Sequence, residues 1–214
     1  AKQKNRDAGF RFEAPDEKEI PGRLQDVLEA IYGAYGLSLD AIDGAESRIA
    51  NLQEEAIFLC GVVCELMPNS AEAKGLLALM VFCRARRTAQ RSGQGEFIPL
   101  AEQDTKRWDR EAILQADRLL WSAAQFRQPG PFQLEAAIQS AHCHRLFTGA
   151  TPWQGIAELY RQLNRHFATT GSLVAAAVAY AEAGNTALGM SELSAIESGT
   201  KSFHPWWVAK GHLH

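Results

Sequence analysis

The stretch FIPLAEQDTKRWDREAI, residues 97–113, places Gln103, Asp104, Arg107, Trp108 and Asp109 within seven positions, where a glycine-bearing loop leads into a helical pattern. Amide, carboxylate, guanidinium and indole groups at this density serve one of three ends: a pocket for chemistry, a contact for a partner, or the anchoring of a helix start. The last has a definite geometry. With Asp109 as N-cap, its carboxylate accepts a hydrogen bond from an early helical N–H. Trp108 then precedes the cap and Ile113 stands four residues beyond it, the spacing of a hydrophobic staple. That role accounts for Trp108 and Asp109, whereas any polar residues would serve at Gln103, Asp104 and Arg107. Arg107 and Asp104 are placed to pair across the preceding turn. Upstream, RARRTAQR sets Arg84, Arg86, Arg87 and Arg91 in the last turns of a helix. Cations there complement the negative end of the helix dipole, but four exceed what capping requires and also suit an acidic partner. The arginines and Glu-Gln-Asp stand at the two ends of one loop, so Asp104 is expected to pair with Arg86 or Arg87. The candidate protein-contact residues are therefore Arg84, Arg86, Arg87, Gln103, Asp104 and Arg107. Trp108 and Asp109 form the structural signature, and Arg107 joins them in anchoring the junction.

The other constellations carry less. No GxSxG elbow, phosphate-binding loop or GxGxxG is present, and SGQGE follows a helix rather than a strand. His142 and His144 stand two apart; on a helix their side chains diverge by about 200°, so one is expected to be buried and the other exposed. Cys60 and Cys64 would share a helix face and could join those histidines around a metal. The spacing matches no usual zinc pattern, and all four cysteines, Cys60, Cys64, Cys83 and Cys143, sit in apolar stretches that suit small buried hydrophobes. Trp206 and Trp207 read as packing for a terminal helix rather than a base-stacking platform. No catalytic residue, metal site or cofactor is expected, and the chain is read as a non-enzyme.

The elements that must position these residues are helices. From Pro21 the three–four spacing of apolar residues predicts helices over about 21–36, 49–67, 70–88, 109–126, 131–148, 152–168, 172–183, 186–198 and 205–211. The first should bury Leu24, Val27, Leu28, Ile31 and Tyr32, and the second Leu52, Ala56, Leu59, Cys60 and Val63. The third is apolar on most of its circumference and should be central. No segment alternates with period two, so strand content should be near zero. The longest irregular segments should be the N-terminus, 36–48 and 91–104. Residues 1–20 read as a linker and 21–214 as one helical domain. Helices of this length joined by short turns predict an all-α fold of stacked antiparallel helical hairpins, tetratricopeptide-like, as a single domain. In SLVAAAVAYAEAGNTALGM, residues 172–190, Ala175–Ala177 allow close helix approach, Gly184 makes the turn and Ala187 packs at the start of the second helix.

Composition narrows the function. Hydrophobic residues make up 46% of 214, enough to build a core. Net charge is −3, without the basic excess of a dedicated nucleic-acid binder. No apolar run is long enough to span a bilayer, and AKQKNRDAG lacks the apolar core of a signal peptide. A cytoplasmic location without membrane contact is the expectation.

GLLALMVFCRARRTAQRSGQGEFIPLAEQDTKRWDREAI resembles the C-terminal extension of one group of bacterial extracytoplasmic-function sigma factors. The resemblance is carried, in order, by Leu76–Met80, Ala85–Arg87, and then Gln103, Asp104, Arg107, Trp108 and Asp109. PGPFQLEAAIQSAH (129–142), TPWQGIAELY (151–160) and the linker-like NRDAGFRFEAP (5–15) extend it over nearly the whole chain. It implies a regulatory domain of an alternative RNA polymerase sigma factor that controls transcription initiation through protein–protein contacts. The implied partners are its own upstream sigma domains, the polymerase core or a regulator protein. These residues include no promoter-melting or promoter-reading domain, so the fragment is expected to make no direct DNA contact. A stand-alone tetratricopeptide-like scaffold and a small-molecule-sensing helical domain are the alternatives.

Overall fold

The computed structural model describes Asp16, residues 19–37, 46–200 and 202–213. The described chain is all-helical, and its one β-type pairing is an isolated antiparallel bridge between Arg91 and Phe97. The chain divides into two compact units, Ala1–Ala56 and Ile57–His214. Most of the 1–20 and 36–48 segments expected to be irregular lies outside the described residues.

The first unit holds α1 (Ile20–Leu37) and the beginning of α2 (Glu46–Leu66). Leu28, Ile31 and Tyr35 are the buried residues of α1, while Val27, expected on that face, is exposed. In α2 the buried positions are Gln53, Ala56 and Cys60, and Leu59 turns outward. An apolar stripe wide enough to look continuous in sequence hides which edge faces the core, so both expectations erred at the stripe's margin.

In the second unit, α3 (Ala71–Ala85) is central. It buries Ala71, Ala73, Leu76, Ala78–Phe82 and Ala85, and packs against α4 (Arg110–Ala124) and α5 (Pro131–Cys143). Ser70 caps it by accepting from Ala73 N at 3.1 Å. Glu72, in the first turn of α3, reaches across to open α5. Its Oε2 accepts from Phe132 N at 3.0 Å and its Oε1 from Gln133 N at 3.1 Å. Pro131 suits that first turn because it has no N–H to satisfy. Burial raises the Glu72 carboxyl, and the N–H groups of Phe132, Gln133 and Gly130 oppose that rise.

The helix expected over 131–148 is broken at His144 into α5 and the short α6 (Arg145–Thr148). Then α7 (Trp153–Phe167) packs between α5 and α8 (Thr170–Glu182), and α8 in turn meets α9 (Thr186–Ala195) and α11 (His204–Leu213), with α10 (Glu197–Thr200) between the last two in sequence. Only Ala168 and Thr169 separate α7 from α8, and three residues separate α8 from α9, so each pair forms an antiparallel hairpin. Leu134, Ile138, Ile156, Leu163 and Ala179 form one core cluster; Val174, Ala177, Leu193, Trp206 and Ala209 form the next. The Thr169/Ser172 capping box starts α8, and Gly184 turns the hairpin at a positive φ of 94°. Ala187 is exposed, so it is not the packing residue expected there. That part is taken by Gly189, where an added Cβ would stand 2.5 Å from the Ala177 carbonyl oxygen.

Candidate functional site

The segment from Arg86 to Asp109 leaves the end of α3, makes a loop and returns to start α4. It leaves through a 3-10 turn, Arg87–Ala89, then forms a hairpin closed by Ser92 N to Glu96 O at 2.8 Å and Ile98 N to Gln90 O at 2.8 Å. It returns through two more 3-10 turns, Leu100–Glu102 and Thr105–Arg107. The second of these turns and the start of α4 are each capped by a local carboxylate, whereas Leu100–Glu102 follows Pro99 without a side-chain cap. Asp104 Oδ1 accepts from Lys106 N at 3.0 Å, and Asp109 Oδ1 accepts from Ala112 N at 3.0 Å. The Asp109 N–H donates to the Ala85 carbonyl at 2.8 Å, tying the start of α4 to the end of α3.

Two arginines then fasten the loop, one from within it and one from α6. Arg107 donates from Nη1 to Arg91 O at 3.4 Å and from Nη2 to Thr88 O, while Thr88 Oγ1 returns a bond to Arg107 O. Arg145, at the start of α6, donates from Nη2 to Leu100 O at 3.0 Å and Gln103 O at 2.8 Å, and from Nη1 to Ala101 O at 2.5 Å. Trp108 lies beneath them, 5% exposed. The Arg145 guanidinium stands 5.1 Å from its ring centroid and that of Arg86 stands 6.0 Å away, within cation–π range. The indole N–H has no hydrogen-bond partner. The whole arrangement is a clasp, with Trp108 as its filling and arginine–carbonyl bonds as its fastenings.

The candidate contact residues divide on this geometry. Arg86 is 6% exposed; it donates to Gln139 Oε1 at 2.5 Å and to Cys143 Sγ at 3.4 Å, and its Nε has no partner. Gln103 is also buried, with Nε2 donating to Ile98 O at 3.1 Å. Neither is available to a partner, contrary to the sequence expectation. The expected Asp104–Arg86 pair is absent, because Arg86 points inward to α5 and Asp104 caps its own turn. Arg107 likewise bonds carbonyls rather than Asp104. Asp104, Arg87 and Arg107 are exposed and Arg84 is half-buried. The Asp109 cap stands as expected, with Trp108 before it and Ile113 after it both buried.

Burial and the arginines set the titration of the groups beneath the clasp. Burial, then the charges of Arg86 and Arg145, depress the His142 imidazole to about 4. Burial and Arg86 also lower Arg145. Burial raises the Cys143 thiol, which Arg86 partly offsets. His142 packs edge-on against Trp153, with ring centroids 5.4 Å apart, and His144 is exposed. Cys60 and Cys143 are buried, Cys64 and Cys83 half-buried. Among the described residues, no group of three or more His, Cys, Asp or Glu side chains is placed to hold a metal ion, and no helix is long and apolar enough to cross a membrane. Trp206 is buried and donates from Nε1 to Leu193 O at 3.0 Å, while Trp207 is half exposed. Sequence reasoning missed Arg145. Its side chain closes the loop from 42 to 45 residues away, and no local pattern marks such a contact.

Residues 23–124 match the profile of a family of unknown function, DUF6596. The chain is 34% identical over 158 residues to an uncharacterized protein of Rhizobium meliloti (strain 1021), an alignment covering 74% of this chain. It spans only 37% of that relative's length. No solved structure matches the chain significantly.

Proposed function

We propose that this chain is a regulatory domain of an alternative RNA polymerase sigma factor, acting in the cytoplasm through protein contacts rather than by catalysing a reaction. The observation that carries the reading is the ordered motif run from Leu76 through Ala85–Arg87 to Gln103, Asp104, Arg107, Trp108 and Asp109. The family match spans that whole run. The run also has a physical coherence that supports treating it as one feature. Its first part is the central helix, and its later parts are the loop turns and helix cap that fasten back onto that helix. Stacked helical hairpins offer extended surfaces suited to helices and peptides. The partners are the upstream sigma domains, the polymerase core or a regulator.

The test is transcription by the full-length polypeptide from its own promoter, with and without residues 21–214. A changed level of initiation, with core polymerase binding measured in parallel, is the expected result. A coding sequence upstream of Ala1 that specifies no promoter-reading domain, or initiation indifferent to removal of 21–214, would refute the proposal.

A further inference from the structure

We propose that the outer face of the clasp is a docking surface for an acidic protein segment, one that presents carboxylates together with apolar side chains. The proposal rests on the regulatory reading above for its biological setting, and on the charges around Trp108 for its chemistry.

Five arginines gather here: Arg86, Arg91, Arg107, Arg110 and Arg145. Arg107 bonds the carbonyl of Arg91. The turn that contains Arg107 packs between Arg87–Ala89 and the α6 turn that begins with Arg145. Arg86 and Arg145 both lie over the Trp108 ring, and Arg110 lies 5.2 Å from the ring centroid of Phe147 in α6. What these guanidiniums bond is the informative part. Arg91 donates to Gly95 O, Arg107 to Thr88 O and Arg91 O, Arg145 to three loop carbonyls, and Arg86 to an amide oxygen and a thiol. None of the five pairs with a described carboxylate. The acids nearest in sequence keep their charge too: Asp104 and Asp109 accept from backbone N–H groups, and Glu96, Glu102 and Glu111 are exposed, so the cations of residues 84–111 with Arg145 outnumber these carboxylates eight to five. A carbonyl fixes a guanidinium in place without cancelling its charge, so the field remains. The depressed His142 imidazole, held down in part by Arg86 and Arg145, responds to that field from inside.

Of the five, Arg91, Arg107 and Arg110 are exposed, as is the neighbouring Lys106. Carboxylates meeting such groups form charge-assisted bonds that steer association and set register. Two features favour an acidic protein segment over nucleic acid. Exposed Glu96, Glu102 and Glu111 interrupt the cations in sequence, which a continuous polyphosphate meets charge for charge and a peptide with spaced carboxylates avoids. Phe97, paired with Arg91 in the hairpin, is 71% exposed, and Phe147, against Arg110, is 40% exposed, so each of these arginines has an apolar neighbour for a peptide to cover.

The experiment measures binding of a fluorescein-labelled peptide that alternates glutamate with leucine to the 214-residue chain by fluorescence anisotropy at low salt. A labelled DNA duplex of equal charge is titrated in parallel. The test variant is R91E/R110E, because neither side chain fastens the clasp: Arg91 bonds within its own hairpin and Arg110 stacks on Phe147. The control is R118E, an exposed arginine further along α4. Thermal melts confirm that all three proteins are folded. The expected result is peptide binding that weakens with salt, falls about tenfold or more in R91E/R110E, and changes less than about twofold in R118E. Absence of peptide binding by the wild-type chain, an equal loss in R118E, or tighter binding of the duplex than of the peptide would each overturn the proposal. None of these outcomes bears on whether residues 21–214 alter initiation, so the two proposals fail separately.

Discussion

Trp108→Ala removes the filling of the clasp while leaving every fastening in place. The ring is 5% exposed, so the substitution deletes an almost fully buried indole. Truncations of this size cost about 3–5 kcal/mol through lost transfer energy and the cavity left behind. The two guanidiniums at 5.1 and 6.0 Å add about 0.5–1 kcal/mol each as cation–π contacts. Against this, the indole N–H is buried without a partner, and its removal returns about 1 kcal/mol. Water entering beside Arg86 and Arg145 returns a similar amount by rehydrating them. The expected net loss is about 4 kcal/mol, read as a shift of the urea midpoint at constant slope. Trp108→Phe separates the contributions. It keeps an aromatic face for the arginines and discards the unpaired N–H, so its cost should stay within about 1.5 kcal/mol. If Trp108→Ala costs less than about 1 kcal/mol, the ring does not hold the loop to the helices. If Trp108→Phe costs as much as Trp108→Ala, bulk and cation–π contact are the wrong explanation.

Three further outcomes are expected. Asp104→Ala removes the cap of a single 3-10 turn at an exposed position, so chemical denaturation should show a loss below about 1 kcal/mol; a loss as large as that of Trp108→Ala would make the turn a structural keystone. His142 has its imidazole depressed from 6.5 to about 4 in the folded chain, so its contribution is complete above pH 6.5 and lost as pH falls toward 4. Discounted for partial exposure, that is about 2 kcal/mol, and the difference in stability between wild type and His142→Gln, followed across that pH window, should shrink accordingly. Gly189→Ala forces a Cβ to 2.5 Å from a backbone oxygen of α8 and should lower stability by about 1–3 kcal/mol despite alanine's better helix propensity, as thermal melting will show.

The parts of the fold that were legible in sequence are those set by local chemistry. Asp109 and Gly184 lie where cap and turn geometry require their types, and each performs that role. The central place of α3 followed from its apolar circumference. Finer positions were not legible, because several residues satisfied the same pattern. Ala187 and Gly189 are both small, and only the distance to Ala177 O shows which one the helices close upon. Polar side chains were hardest of all. Asp104, Arg86 and Arg107 looked like partners because opposite charges stood at the ends of one loop. In the folded chain the carboxylate found an N–H two residues away and the arginines found oxygens on other elements. A nearby backbone group costs less ordering entropy than a long side-chain pair, so local capping takes the short aspartate first.

That choice of acceptors has a consequence for what the signature can do. Had Arg107 and Arg145 been held by carboxylates, the loop would be fastened as firmly and the charges would cancel. Fastening them by carbonyls gives the same geometry and leaves the positive charge standing at the loop's surface. Residues inside the clasp, Arg86, Gln103 and Trp108, are then needed for shape, and the exposed Arg91, Lys106 and Arg110 are free to set what the shape attracts. A substitution in the first group acts through folding and one in the second through association. Trp108→Ala should therefore weaken acidic-peptide binding only in proportion to the fraction unfolded, whereas R91E/R110E should weaken it in a fully folded chain. Equal melting temperatures with unequal anisotropy for R91E/R110E and R118E are the measurement on which that separation stands.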